Sequence, residues 1–221
     1  MASPHYAPPR PAIHLVLGAA IVGVTVFELT ASSGVIEALI REYGVVPLRF
    51  TEGPGLMPSS GAALSLVAHA FLHGGWLHLG MNMFVYFQIA GLLAWRLSER
   101  GAGALRFLAF FAGSAASGAI AYILINPHAD SPAVGASGAI CGLFAGYLLG
   151  ARRNWRDALR DPQIRNAALW FLAINVGLMF FIAQGGVFPI AWEAHLGGFL
   201  GGLALFPLLA PRRERYAGPW G

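Results

Sequence analysis

Long apolar stretches recur along the chain and constrain its fold more than any other feature. They cover residues 12–31, 77–95, 105–125, 133–150, 166–184 and 188–209. An α-helix needs about 20 residues to cross the hydrocarbon core of a bilayer, and each stretch is close to that length. None of them shows the alternation of polar and apolar residues that is typical of a strand. The sequence therefore predicts an all-α polytopic membrane protein with a bundle of six transmembrane helices.

The composition fits this class and argues against a soluble domain. Charged residues make up 11% of the chain and hydrophobic residues 57%, whereas a soluble domain carries about 25% charged residues. The isoelectric point near 9.7 would also suit a nucleic-acid-binding protein. The arginines, however, lie beside the apolar stretches, so we expect a lipid bilayer as partner and no nucleic acid. The single cysteine, Cys141, excludes an internal disulfide.

The stretches divide the chain into a short N-terminal segment (1–11), a six-span domain (12–209) and a short C-terminal tail (210–221). The first loop, residues 32–75, is long. Apolar residues repeat in it at helical spacing, which predicts an amphipathic helix in the membrane interface. These residues are Val35, Ile36, Leu39, Ile40 and Tyr43. His14 and Glu28 lie near the two ends of the first span, where a polar group reaches the interface at low cost.

The distribution of arginine predicts the orientation. With the N-terminus in the cytoplasm, 12 of the 14 arginines fall in cytoplasmic segments, and only Arg41 and Arg49 lie on the other side. Both termini are therefore expected to be cytoplasmic. The chain contains no lysine and is rich in glycine and alanine, which indicates a bacterial source, so we expect a multi-pass protein of a bacterial inner membrane.

Four polar side chains are predicted to lie at one depth. With both termini inside, the second, fourth and sixth spans all begin on the outer side. His78 and Asn82 lie in the first turns of the second span, Ser137 in those of the fourth and His195 in those of the sixth. With a rise of 1.5 Å per residue, they share a layer just below the outer interface. Polar side chains are rare in membrane spans and often mark functional sites.

These residue types suit acyl transfer. A serine hydroxyl becomes a nucleophile when a neighbouring base takes its proton, so Ser137 and His195 are candidates for a nucleophile and its base. Glu193 is two residues from His195 and is expected to face away from it, so we predict a dyad without a carboxylate. The Ser137 N–H and the side chains of His78 and Asn82 are candidate donors to an oxyanion. By itself, a serine with glycine neighbours is also typical of a plain helix start.

Small residues are placed where the serine-bearing and histidine-bearing spans would have to meet. The fourth span carries glycines at a four-residue interval, and the sixth span carries glycines after His195. They include Gly138, Gly142, Gly198 and Gly202. Such stripes let helix backbones touch. They would pack a bundle whether or not the site is catalytic.

Other kinds of site are weaker fits. His69 and His73 have a spacing that is compatible with metal ligands, but no H-E-x-x-H motif accompanies them, so neither a metal nor another cofactor is expected. These two histidines are expected to form hydrogen bonds within the first loop. The spans hold no aspartate pair for an aspartyl protease. A small transporter is also less favoured, because no internal repeat is evident.

Three ordered motifs resemble those of the rhomboid intramembrane serine proteases. They are His78-x-x-x-Asn82, Gly135-x-Ser137-Gly138 and Ala194-His195-x-x-Gly198-x-x-x-Gly202. The resemblance covers residues 12–209 and implies a rhomboid-like bundle whose first loop is partly embedded in the outer leaflet. It implies a serine endopeptidase (EC 3.4.21.-) with Ser137 as nucleophile and His195 as base, and with His78, Asn82 and Gly135 around the oxyanion and substrate. The implied substrates are single-span membrane proteins, cut near the outer face.

Two positions in the predicted spans differ from the usual rhomboid pattern. Cys141 stands four residues after the serine, where an aromatic residue is common, and Ala94 precedes Trp95 where an acidic residue is usual. The alternative is a catalytically silent rhomboid-like protein that binds membrane clients. Because Ser137 and His195 are both present, the sequence favours the enzyme.

Overall fold

The computed structural model describes residues 12–52, 60–98, 102–152, 154–185 and 191–210. Within these ranges the chain forms ten α-helices, one 3-10 turn at His69–Phe71 and no strand. The helices are α1 (Ile13–Thr30), α2 (Ser33–Tyr43), α3 (Leu48–Thr51), α4 (Ser60–Ala68), α5 (Trp76–Leu97), α6 (Gly103–Ile125), α7 (Ser137–Gly150), α8 (Trp155–Arg160), α9 (Pro162–Gly185) and α10 (Trp192–Leu209). The all-α prediction is therefore confirmed.

Three of the described helices, α1, α5 and α6, are long and apolar enough to cross a membrane. Helix α7 is apolar but has only 14 residues. Helices α9 and α10, with 24 and 18 residues, fall in the last two predicted spans. A polytopic membrane protein is thus supported, whereas helix length and composition do not establish six spans.

Several predicted boundaries were wrong at the helix starts. Residues 133–136 were predicted as part of the fourth span but precede α7, because Ala133 pairs with Val45 of the first loop in an isolated antiparallel bridge. In the sixth predicted span, helix α10 begins at Trp192, and residues 188–190 lie outside the described part of the chain. The N-terminal segment, nearly all of the predicted C-terminal tail and Gly186 also lie outside it.

Helix α9 begins four residues earlier than predicted because its first turn is capped. The Asp161 carboxylate accepts hydrogen bonds from the backbone N–H groups of Gln163 and Ile164, at 2.8 and 3.4 Å. Pro162 occupies the first helical position, where its missing N–H costs nothing. Arg152 donates from Nε to Asp161 at 2.7 Å, and this bond lowers the pKa of the carboxyl below its usual range.

Helices α7 and α10 cross with their backbones in contact. A Cβ on Gly198 would collide with the carbonyl oxygen of Gly138, and one on Gly202 would collide with that of Gly142. In the other direction, a Cβ on Gly142 would lie 2.8 Å from the carbonyl oxygen of Gly198. These glycines therefore interlock, and any side chain here would separate the two helices.

The opposite face of α10 contacts α6 in the same way. A Cβ on Gly197 would lie 2.7 Å from the Ser117 carbonyl oxygen, and one on Gly118 would lie 2.6 Å from the Ala194 carbonyl oxygen. Helix α10 is thus held between α6 and α7, which fixes the position of its N-terminal turn.

The first loop contains the predicted amphipathic helix as α2, which has no fully buried residue. Glu28, in contrast, does not reach outward as expected. Its side chain is fully buried, and its Oε2 accepts the backbone N–H of His73 at 2.9 Å. The first loop is therefore tied to α1 by a buried carboxyl.

Candidate active site

Ser137 and His195 are in direct contact. Ser137 is the first residue of α7, and His195 is the fourth residue of α10. The Ser137 Oγ and the His195 Nε2 are 2.7 Å apart, and both side chains are partly accessible. In a neutral imidazole whose Nε2 carries the lone pair, this nitrogen accepts the hydroxyl proton. The interlocked glycines of α7 and α10 hold the two elements at this separation.

The segment before Ser137 is held by the first loop. The Gly135 N–H donates to the His69 carbonyl at 2.9 Å, and Ala133 and Val45 exchange two backbone hydrogen bonds of 2.9 and 3.0 Å. Gly135 has φ of +121°, a conformation that favours glycine. This turn makes Ser137 the start of a helix, where backbone N–H groups have no partner within the helix. A developing negative charge beside Ser137 would meet these donors.

His78 and Asn82 lie against the same turn. A Cβ on Gly135 would be 2.8 Å from the His78 Nε2 and 3.6 Å from the Asn82 Nδ2. Asn82 is buried, and its Nδ2 has no hydrogen-bond partner within the described residues. The structure therefore places the five predicted site residues close together: His78, Asn82, Gly135, Ser137 and His195. Donors that lie side by side in a buried setting can stabilise an oxyanion.

Among the described residues, no carboxylate binds the far side of the His195 imidazole. The His195 Nδ1 is buried and has no partner in the part of the chain that the structure describes. The Glu193 Oε1 instead accepts from the Asn126 Nδ2 at 2.9 Å and ties the start of α10 to the end of α6. Ser137 and His195 therefore form a pair without a third member among the described residues.

The two other histidines of the first loop bind in different directions. The His69 Nδ1 is 2.8 Å from the Ser65 carbonyl oxygen, as expected for a bond within the loop. The His73 ring also contacts a residue outside the loop, because its Nδ1 lies 2.9 Å from Thr25 Oγ1 of α1. Thr25 and Glu28 were missed as part of this network. The only sequence signal was a carboxyl within an apolar stretch.

The two departures from the rhomboid motifs are both core positions. Cys141 lies one turn after Ser137 with 4% of its surface exposed, and Ala94 is fully buried. A small side chain at each site is therefore packed into the helix bundle. Neither makes a polar contact with Ser137 or His195 in the described structure.

Comparisons with known proteins point to one family. The Rhomboid domain model matches residues 60–212. The "Putative rhomboid protease YdcA" of Bacillus subtilis is 36% identical over 163 residues, which are 74% of this chain and 75% of that protein. Rhomboid-like protease 5 of Toxoplasma gondii is 33% identical over 147 residues, 65% of this chain and 16% of the relative. RHOMBOID-like protein 5 of Arabidopsis thaliana is 28% identical over 181 residues, 81% of this chain and 53% of the relative.

The fold and the site define an all-helical membrane protein in which the serine at a helix start contacts an imidazole from another helix. The family match covers most of the chain, and so does the alignment with the Bacillus relative. The chain belongs to the rhomboid family. It spans less than two thirds of the Toxoplasma and Arabidopsis relatives, at 16% and 53% of their lengths.

Proposed function

We propose that this chain is an intramembrane serine endopeptidase, with Ser137 as nucleophile and His195 as its base. The observation that carries the proposal is the 2.7 Å distance between the Ser137 Oγ and the His195 Nε2. A neutral imidazole at this distance can take the hydroxyl proton as the oxygen attacks a carbonyl. The names of several relatives as proteases support the same reading.

The reaction proceeds in two acyl-transfer steps. The Ser137 Oγ attacks the scissile carbonyl carbon while His195 accepts the proton, and the carbonyl oxygen becomes an oxyanion. The Ser137 N–H, the His78 Nε2–H and the Asn82 Nδ2–H donate to that oxygen. His195 then gives its proton to the leaving amine, which leaves an acyl ester on Ser137. His195 then takes a proton from a water molecule whose oxygen attacks the ester, and it returns that proton to the Ser137 Oγ as the bond to the acyl carbon breaks and the carboxylic acid product leaves. Losing one oxyanion donor typically costs about 10²–10³-fold in rate.

The expected substrates are single-span membrane proteins cut near the outer face of the bilayer. In this proposal the chain has six spans with both termini in the cytoplasm of a bacterium. The excess of arginine in the segments then assigned to the inside supports this orientation. Ser137 and His195 then lie close to the outer surface, because they are near the starts of α7 and α10. In the same proposal the first loop is partly embedded in the outer leaflet.

A serine-reactive fluorophosphonate tests the proposal directly. The purified protein in detergent or liposomes should be labelled at Ser137, and it should cleave a fluorogenic transmembrane peptide. Ser137→Ala should remove both signals, and His195→Ala should lower the labelling rate at least about a hundredfold because the hydroxyl loses its base.

A matched control is Ser117→Ala, because the Ser117 hydroxyl donates to the Gly113 carbonyl of its own helix, at 2.8 Å. It should label and cleave like the wild type. Equal labelling of the wild type and Ser137→Ala would contradict the proposal. A wild type that is neither labelled at Ser137 nor able to cleave the peptide would favour a catalytically silent protein that binds membrane clients.

A further inference from the structure

Two buried polar residues of α1 take no part in the mechanism above. Thr25 and Glu28 lie one turn apart and are both 0% exposed. They also lie outside residues 60–212, the range matched by the Rhomboid domain. A buried hydroxyl and a buried carboxyl destabilise a protein unless they form hydrogen bonds. Their partners therefore indicate what the pair does.

Both side chains bind residues 71–73, the end of the first loop. The Glu28 Oε2 accepts the His73 N–H at 2.9 Å. The Thr25 Oγ1 donates to the Phe71 carbonyl at 3.0 Å and lies 2.9 Å from the His73 Nδ1. A threonine hydroxyl has a single proton, so once that proton goes to Phe71 the oxygen accepts from the Nδ1–H of His73. The pair thus holds the backbone and the ring of His73 in place.

His73 is followed directly by the residue that contacts the candidate oxyanion donor. The Gly74 N–H donates to the His78 Nδ1 at 3.4 Å. In a neutral His78 the proton is then on Nε2, the nitrogen that faces the Gly135 turn. The rings of His73 and His78 also meet edge to face, with centroids 5.1 Å apart. A continuous set of contacts therefore joins α1 to His78 through residues 71–74.

We propose that Thr25 and Glu28 are positioning residues for the oxyanion site: they hold residues 71–74 so that His78 presents its Nε2–H beside Ser137. This inference rests on the proposed protease function. The pair touches neither the substrate nor the reacting atoms, so its effect on catalysis passes through His78. An imidazole that is displaced or carries its proton on the other nitrogen offers a poorer donor in the transition state, while ground-state binding of the substrate helix is unchanged.

The test compares two threonines of the same helix. The Thr30 hydroxyl is exposed and donates to the Val26 and Phe27 carbonyls of α1, at 2.7 and 3.3 Å. Thr25→Val and Thr30→Val remove the same atom without changing side-chain shape. With a transmembrane peptide substrate, Thr25→Val should lower kcat about tenfold with KM within about twofold, since only transition-state stabilisation is lost. Thr30→Val should match the wild type.

Glu28 gives a second, independent comparison. Glu28→Gln keeps an oxygen that can accept the His73 N–H, whereas Glu28→Leu removes it. We expect the glutamine variant to retain kcat within about threefold and the leucine variant to lose about tenfold or more. If Glu28→Leu fails to fold, the Thr25→Val result and the glutamine variant still decide the matter.

A double-mutant cycle separates positioning from general destabilisation. In a His78→Ala background, Thr25→Val should have no further effect on kcat, because the group it positions is already gone. An equal kcat for Thr25→Val and Thr30→Val would overturn the inference. So would a kcat loss that persists undiminished in the His78→Ala background. Failure of the proposed function would look different, because the wild type itself would neither cleave nor be labelled at Ser137.

Discussion

The two sides of the candidate site are held by different kinds of contact. On the nucleophile side, α7 and α10 meet backbone to backbone, with Gly198 against the Gly138 carbonyl. On the oxyanion side, α1, the first loop and α5 meet through side-chain hydrogen bonds, such as that from the His73 N–H to Glu28. Backbone contact leaves no room for even one methyl group, whereas a hydrogen bond can be preserved by an isosteric side chain. We therefore expect activity to depend on side-chain size where α7 meets α10. Where α1, the first loop and α5 meet, we expect it to depend on the hydrogen-bonding groups.

The largest effect is expected from a side chain at the helix contact. In Gly198→Leu, the new Cβ would collide with the Gly138 carbonyl oxygen, which belongs to a helix backbone and cannot rotate away. Overpacking in a core typically costs about 1–3 kcal/mol, and here it would also move Ser137 away from His195. We expect peptide cleavage to fall at least about a hundredfold, because a misplacement of about 1 Å costs about that much. Cleavage assays and fluorophosphonate labelling would measure this loss.

Gly23→Leu is the matched control for this variant. Gly23 lies on α1, and a Cβ there would meet nothing within 4 Å. The control should insert, fold and cleave like the wild type. If Gly198→Leu were equally active, close contact between α7 and α10 would not be needed, and the contrast between the two sides of the site would disappear.

A smaller loss of activity is expected from a substitution at Gly135, which lies between Ser137 and His78. In Gly135→Ala, the Cβ would lie 2.7 Å from the His78 Cε1, and φ of +121° adds backbone strain. Strain of this kind costs about 1–3 kcal/mol. Because His78 must also move, we expect a kcat loss between about tenfold and a hundredfold with little change in KM, read from steady-state cleavage kinetics.

Gly75→Ala separates strain from displacement. Gly75 also has a positive φ, +146°, but a Cβ on it would meet nothing within 4 Å. It should therefore lose stability, measured by thermal unfolding, and keep more of its kcat than Gly135→Ala. Equal kcat values for the two variants would mean that contact between Gly135 and His78 does not matter.

The sequence predicted the two sides unequally. Periodic glycines are a local signal, so the approach of α7 and α10 could be expected from Gly138, Gly142, Gly198 and Gly202 alone. The contacts of α1 with the first loop could not be predicted in this way, because they join residues that are 45 to 48 positions apart, such as Glu28 and His73. A carboxyl near the end of an apolar stretch fits either an interfacial or a buried position. Only the path of the first loop decides between them.

Helix starts were also harder to predict than helix existence. Hydropathy continues through residues 133–136, yet α7 begins only at Ser137, because Ala133 pairs with Val45 and Gly135 turns the chain with φ of +121°. Such a bridge depends on a distant loop and leaves no periodic trace in either segment. This detail matters for the site, since it makes Ser137 a first-turn residue with its N–H directed out of the helix.

The smallest effect is expected for Glu193, the nearest carboxyl in sequence to His195. Its Oε1 accepts from the Asn126 Nδ2 at 2.9 Å, so we expect it to stabilise the contact between α10 and α6 and to take no part in proton transfer. Loss of a triad carboxylate typically lowers kcat about 10⁴-fold, whereas loss of one hydrogen bond between helices costs about 1 kcal/mol of stability. We therefore expect Glu193→Ala to lower the melting temperature by a few degrees and kcat by no more than about threefold.

Glu193→Gln keeps an oxygen that can accept from Asn126, so it should restore the melting temperature while removing the charge. The pH dependence of kcat should be the same in the wild type and both variants, because the carboxylate is not coupled to the base. A loss of about a thousandfold or more in Glu193→Gln, with a melting temperature like that of the wild type, would mean that the charge acts on His195. The site would then be a triad with Glu193 as its third member. Glu193 would act chemically from within the contact between helices, so the two sides of the site would no longer differ in kind.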